Sequence, residues 1–85
     1  MEQKKKKIFF YKSALCPRCM MARRILLGLQ VDFPWLEIEE IDVATNPRRA
    51  WKDGIRLIPA IKGDAQSISG LFLNSEQIRN FIEKL

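Results

Sequence analysis

Hydrophobic positions along the 85-residue chain follow first a strand-like and then a helical spacing. The run "IFFY" opens a β-branched and aromatic segment over residues 8–14, which is typical of a strand buried on both faces. Apolar residues then recur every four positions at Met21, Ile25 and Leu29, after a proline suited to the first helical turn. The spacing predicts a helix over residues 17–29.

The middle of the chain predicts a connector, a second strand and a short helix. Pro34 places the segment "VDFPW" in a connector, because proline lacks an amide hydrogen and disfavours helix in the residue before it. The run "LEIEEIDV" predicts the strand. Thr45 or Asn46 can cap a helix that begins at Pro47 and ends before Gly54.

The last third of the chain predicts a hairpin and a final helix. Two strands, over residues 56–62 and 66–70, meet at a Gly-Asp turn. Asn74 precedes an amphipathic segment and has a glutamine three residues on, which is the pattern of a capping box.

The predicted element order is βαβαββα in one domain over residues 1–85. A helix between the first two strands implies a parallel crossover, and the hairpin adds an antiparallel edge. We therefore expect an α/β fold with a four-stranded mixed sheet flanked by three helices, preceded by a flexible basic tail over residues 1–7.

Several side chains are assigned to packing or to solvated surfaces. Trp51 is expected to point inward, and Trp35 to plug part of the core from its connector. Met20 and Met21 are expected to pack beside the sheet, as methionines in such helices usually do. Solvated helix faces are expected to carry the arginines Arg23, Arg24, Arg48 and Arg49.

The charge of the chain is concentrated at its start. Residues 1–7 contribute four lysines and one glutamate, a net +3 of the formal charge of +5. No aromatic-rich basic motif accompanies this run, so we expect no nucleic-acid partner. No apolar segment approaches the about 18 residues of a membrane span, nor is there a signal-peptide core, so we expect a cytoplasmic protein that binds no membrane.

The two cysteines form the motif Cys16-Pro17-Arg18-Cys19 where the first strand gives way to the helix. At such a position the free amides and positive end of the helix favour a thiolate on Cys16. Cys19 lies one turn later, more enclosed, where it can resolve a mixed disulfide. Arg18 adds a positive charge that supports the thiolate.

Three other interpretations of the cysteines stay open at this point. A closed zinc site needs four cysteine or histidine ligands, and this chain has two cysteines and no histidine, so a metal or iron–sulfur site requires a dimer. The cysteines could also be small buried residues in a core. A redox-inactive interaction domain would keep the fold without the chemistry.

From Ile8 to Leu85 the sequence resembles the thioredoxin-like superfamily, and in particular its small glutaredoxin-like or mini-thioredoxin members. The motif "CPRC" matches their redox pair, and Ile58-Pro59 matches the position of their cis-proline opposite the dithiol. The resemblance implies that Cys16 attacks, that Cys19 resolves, and that Pro17, Arg18, Ile58 and Pro59 support the site. It also implies that the Ile58 backbone is free to pair with an extended substrate.

The glutathione-binding positions of glutaredoxins are only partly matched. Lys12 lies one residue before the position at which glutaredoxins usually have a lysine. Of the Gly-Gly pair usual in glutaredoxins, this chain has only Gly70. Asn74 and Ser75 stand where an acidic pair is usual, in the region of "SGLFLN". These four residues are the candidates for binding glutathione or a thiol substrate, and their departures favour thioredoxin reductase slightly as the electron donor.

The sequence thus predicts an enzyme, a thiol–disulfide oxidoreductase with no metal and no tightly bound cofactor. Its expected partners are disulfide-containing proteins and an external donor, either glutathione or thioredoxin reductase. We expect it to act as a monomer.

Overall fold

The computed structural model describes residues 5–70 and 73–85 of the chain, so the predictions for the first four residues and for Leu71 and Phe72 lie outside it. It confirms the predicted order of elements. Their bounds are β1 Lys6–Lys12, α1 Pro17–Asp32, β2 Leu36–Asp42, α2 Pro47–Lys52, β3 Ala60–Lys62, β4 Ser67–Ser69 and α3 Ser75–Glu83.

The four strands form one mixed sheet in the order β2-β1-β3-β4. β1 pairs in parallel with β2 and antiparallel with β3, and β3 pairs antiparallel with β4. β1 therefore has a hydrogen-bonded neighbour along each edge. This explains its apolar run, because a strand inside a sheet with helices on both faces has no solvated side.

β1 begins two residues earlier than predicted. Lys6 and Lys7 pair with Leu36 and Glu37 of β2, so they belong to the sheet and not to a flexible tail. The Lys7 Nζ atom also lies 2.6 Å from a carboxylate oxygen of Glu39. Composition alone suggested a tail, but lysine is compatible with the rim of a sheet where carboxylates line the next strand.

α1 is longer than predicted, and of its predicted stripe only Leu29 is buried, while Ile25 packs partly against the core. It continues through Gly28 to Asp32, so the start of "VDFPW" is helical. Its buried residues are Cys19, Ala22, Leu26 and Leu29. Met20 and Met21 are 44% and 65% exposed, so the prediction that they pack against the sheet is wrong.

The hairpin strands are shorter than predicted. β3 begins only at Ala60, directly after the Ile58-Pro59 peptide, which is cis as the resemblance implied. Proline has no N–H for a sheet ladder, so regular pairing starts after it. β4 spans three residues at the open edge of the sheet.

The main core lies on the sheet face that α1 and α3 cover. Alternate residues Ile8 and Phe10 of β1 point into it, together with Ile61 of β3. α3 contributes the predicted stripe, and its Asn74 and Gln77 form the predicted capping box. The connector residue Trp35 packs against this core, and its ring meets Phe33 edge-on at 5.6 Å, which confirms its predicted role as a plug.

A smaller core cluster lies on the other sheet face, where α2 packs. Tyr11 is its largest buried residue, and its hydroxyl donates a 2.5 Å hydrogen bond to Asp53 at the end of α2. Burial, with that hydrogen bond, raises the pKa of Tyr11, so the phenol stays a donor. Trp51 does not join the cluster as predicted: it is 66% exposed, and the Arg56 guanidinium lies over one face of its ring at 3.4 Å.

Arginine side chains on the helix surfaces are partly tied to the sheet. Arg23 and Arg49, expected to be solvated, lie at the surface but pair with Glu40 and Glu39 of β2 at 2.8 and 3.4 Å. Exposed pairs of this kind contribute about 0.2–1 kcal/mol each.

The turn after α2 generates a stability prediction. Gly54 has φ of +82°, a conformation that an L side chain adopts only at a cost of about 1–2 kcal/mol. We expect Gly54→Ala to lower the free energy of unfolding by about that amount in urea titrations. The control Gly28→Ala, at a helical glycine where an added Cβ would meet no atom within 4 Å, should not lower it. Equal effects of the two substitutions would contradict this account.

Candidate functional site

Cys16 occupies the N-cap of α1 because the chain turns sharply between β1 and the helix. The Cys16 amide donates to the Ser13 carbonyl at 3.1 Å, which closes the turn. Cys16 itself is extended, with φ of −109° and ψ of 104°, and Pro17 follows in the first helical turn. This is the position at which side chains accept hydrogen bonds from free helix amides.

The two cysteine side chains meet within this first turn. The Cys19 amide donates to the Cys16 Sγ atom at 3.2 Å. Both cysteines are free thiols, with Cys16 9% exposed and Cys19 fully buried. A hydrogen bond from a backbone amide favours negative charge on the Cys16 sulfur, as does the positive end of the helix.

Cys19 lies in an apolar environment that holds its proton. Burial raises the pKa of the Cys19 thiol to about 11, and its interaction with Cys16 adds to the increase. The backbone of Ser13 and the charge of Arg18 act in the opposite direction with smaller effect. The two thiols of the motif therefore differ in exposure and in their hydrogen-bonding roles.

The sheet brings Ile58-Pro59 to the same end as the cysteines. Tyr11 pairs with Ala60 in the antiparallel β1–β3 ladder, so the residues after β1 and those before β3 lie at one end of the sheet. Pro59 is fully buried, and Ile58 packs against the core cluster that includes both cysteines. No backbone hydrogen bond involves Ile58 within residues 5–70 and 73–85.

Two of the predicted thiol-ligand residues lie at this end of the sheet. Lys12 ends β1, half-buried, and its carbonyl accepts from the Val43 amide at 2.9 Å. The Gly70 amide donates to the Pro59 carbonyl at 3.3 Å, so Gly70 adjoins the cis-proline.

The other two predicted residues, Asn74 and Ser75, lie at the start of α3. The Asn74 side chain accepts from the Gln77 amide at 2.8 Å as the helix cap, and Ser75 is the first residue of the helix. In the described parts of the chain, neither hydrogen-bonds with residues 13–19. Their assignment to thiol or glutathione binding stays a prediction.

Sequence reasoning missed two features of the site. Ser13 acts through its backbone, which residue-type patterns do not reveal. Leu57, just before Ile58, is 50% exposed, although a signal was present, since it is a bulky apolar residue beside a functional motif. Leu15, just before the cysteine motif, is 93% exposed.

Metal binding and membrane insertion find no support in the part of the chain that the structure describes. No cluster of three or more cysteine, aspartate or glutamate residues there could hold a metal ion. Among the same residues, no helix combines the length and apolar character required to cross a bilayer.

Comparison with known proteins gives a consistent result, although no family model matches the chain. The thioredoxin of Methanocaldococcus jannaschii is 36% identical over 67 residues, which cover 75% of this chain and 79% of that protein.

Solved structures of other thioredoxins share the fold. Oxidised mitochondrial thioredoxin 3 of Saccharomyces cerevisiae superposes with a TM-score of 0.80 at 23% identity, over 98% of this chain and 81% of its own. Thioredoxin 1 of Thermosipho africanus gives 0.77 at 22% identity, over 92% and 91%. At these identities the likeness concerns the fold alone.

The burial of Cys19 predicts unequal reactivity of the two thiols. In reduced protein treated with iodoacetamide near neutral pH, we expect a single carbamidomethyl group on Cys16, located by peptide mass spectrometry. In a Cys16→Ser variant, Cys19 should stay unmodified near neutral pH, because burial still raises the pKa of its thiol, and should react once urea unfolds the chain. Equal labelling of both thiols in the folded protein would contradict this prediction.

Proposed function

This chain belongs to the thioredoxin family, and we propose that it is a thiol–disulfide oxidoreductase that works through Cys16 and Cys19. The observation that carries the proposal is the hydrogen bond from the Cys19 amide to the Cys16 sulfur at the start of α1. It places one sulfur where a thiolate is favoured and a second thiol one helical turn away.

The proposed reaction runs in two exchanges. The Cys16 thiolate attacks one sulfur of a substrate disulfide, forms a Cys16–substrate disulfide, and releases the other substrate sulfur as a thiolate. Cys19 then loses its proton and attacks the Cys16 sulfur, which forms the Cys16–Cys19 bond and releases the second substrate sulfur. The substrate gains two electrons and two protons, and the dithiol loses them.

The assignment of roles follows from the unequal surroundings of the two thiols. Cys16 lies at the surface end of the turn, whereas Cys19 is enclosed, and its raised pKa keeps it protonated while Cys16 reacts. An incoming disulfide therefore reaches Cys16 first. Formation of the mixed disulfide brings a sulfur electrophile to Cys19 without any movement of its helix.

We also propose that substrates bind as extended segments beside Ile58. Its backbone groups precede β3 and make no hydrogen bond to the described backbone, so they can pair with an added strand. Exposed Leu57 precedes Ile58 and exposed Leu15 precedes the cysteine motif, so both offer apolar contact near the proposed site. The proposed substrates are disulfide-containing proteins of the cytoplasm, a reducing compartment in which a dithiol stays reduced and ready for exchange.

Trapping experiments test the roles of the cysteines. We expect Cys19→Ser to accumulate a covalent complex with disulfide-bonded insulin, detected as a reducible band by electrophoresis. The same treatment of Cys16→Ser should give no complex, and neither variant should turn over. The proposal fails if both variants reduce insulin at the rate of the unmodified protein.

The electron donor is tested by direct comparison. We propose thioredoxin reductase, because Asn74 is committed to capping α3 and Ser75 carries no charge that could meet the glutathione amino group. Insulin reduction should therefore be faster with NADPH and a thioredoxin reductase than with glutathione and glutathione reductase. Asn74→Asp, which keeps a capping oxygen and adds a negative charge, should raise the glutathione-dependent rate. A glutathione-driven rate above the reductase-driven rate would assign the donor to glutathione.

A further inference from the structure

The solvent side of α1 carries large apolar residues that the fold leaves uncovered. Met21 is 65% exposed and Val31 is 83% exposed, on the side opposite the buried stripe. Leu27 lies beside them and is 40% exposed. Apolar side chains that are grouped on an exposed face and rimmed by charged residues mark interaction surfaces. The outer face of α1 therefore has the character of a contact surface.

The spacing of this outer face matches the seam of a two-helix contact. Met21, Arg24, Gly28 and Val31 follow one another at intervals of three, four and three residues, and we call these four residues the outer seam. This is the spacing by which one helix presents a continuous line of side chains to a partner helix. The seam is apolar apart from Arg24.

Gly28 has no role in the fold of its own chain. A Cβ added there would meet no atom within 4 Å, and the residue lies inside a helix, where glycine is less favourable than alanine. A glycine in the seam instead leaves room for a bulky side chain from outside. Arg24, one turn earlier, is exposed and makes no hydrogen bond or ion pair within residues 5–70 and 73–85.

From these observations we propose, in place of the monomer expected from the sequence, that two copies of the chain pair through antiparallel α1 helices along the outer seam. With the two-fold axis beside residue 26, Met21 of one copy faces Val31 of the other. Arg24 then faces Gly28 of the other copy, so the longest side chain of the seam lies over the position that has none. Each contact occurs twice, as a two-fold interface requires.

Charge complementarity supports a second copy of the chain as the partner that binds the outer seam. Side chains of a helix lean toward its N-terminus, so Arg24 extends toward the level of Met20. In this register Asp32 of the other copy lies at that level. Asp32 remains 54% exposed although it pairs with Arg79 at 3.0 Å, so its carboxylate can accept a second cation. The net charge of +5 opposes association, but repulsion between distant charges is screened beyond about 8 Å at physiological ionic strength.

The proposed pairing leaves both dithiols accessible. Cys16 is ten residues from the two-fold axis, or about 15 Å along the helix. The antiparallel arrangement places the two dithiols at opposite ends of the helix pair. It therefore differs from an arrangement in which two chains pool their cysteines around a metal.

The proposal is tested by measuring the oligomeric state of variants in which the charges of Arg24 and Asp32 are reversed. Sedimentation velocity over a concentration series should show a monomer–dimer equilibrium, and Arg24→Asp should shift it to monomer although it reduces the net positive charge. Combining Arg24→Asp with Asp32→Arg should restore the dimer. Arg48→Asp makes the same charge change on exposed α2 and should leave the equilibrium unaltered. Far-UV circular dichroism should show that all variants are folded.

The antiparallel register is tested by cross-linking. In a chain with Cys16→Ser and Cys19→Ser, the further pair Met21→Cys and Val31→Cys should form a dimer with two intermolecular disulfides on oxidation. These positions are about 15 Å apart on one helix and cannot bridge within a chain. A chain that is monomeric at every concentration overturns the proposal. A dimer that persists in Arg24→Asp, or one that does not cross-link, overturns the assignment of this surface.

Discussion

The pairing of β1 along both of its edges is the constraint on which the rest of the structure depends. β1 lies parallel to β2 and antiparallel to β3, with a core on each face. The parallel neighbour requires a crossover, which is α1, and the helix must start where β1 ends. The antiparallel neighbour brings the start of β3 to that same end. Two cysteines and a proline some forty residues apart are thereby brought to one end of the sheet by the pairing of β1.

Helix geometry then makes two identical thiols unequal. A residue at the N-cap lies outside the helix and faces free amides, whereas a residue three positions later lies within the first turn. Cys16 therefore accepts a hydrogen bond at the rim, and Cys19 is enclosed by the apolar side of α1. No charged residue is buried in the described parts of the chain, and the largest contribution to the difference is the burial of Cys19. The order of attack and resolution in the proposed reaction follows from the fold of one turn.

The sequence predicted those features that local chemistry determines. The order of elements and the cap at Asn74 depend on residue type and short spacing, and both were confirmed. The cis peptide at Pro59 was confirmed too, but it was expected from the resemblance and not from local spacing. The stripe predicted for α1 was only partly right, because the apolar residues of this helix fit more than one stripe. Trp51 was wrong because hydrophobicity alone does not tell which face of a short helix meets the sheet. The role of Ser13 depends on backbone placement, which no side-chain pattern reports.

The division of the apolar interior into two clusters has a consequence for motion. α2 lies on the smaller cluster and is joined to the sheet by the Tyr11–Asp53 hydrogen bond, while α1 and α3 share the larger one. Regions with little apolar burial open at lower free energy than the global unfolding transition. We therefore expect α2 to open at lower free energy than the larger cluster, to which both cysteines belong. Ile58 contacts both clusters, so the release of α2 would loosen the proposed substrate-binding segment while the cysteines stay in place.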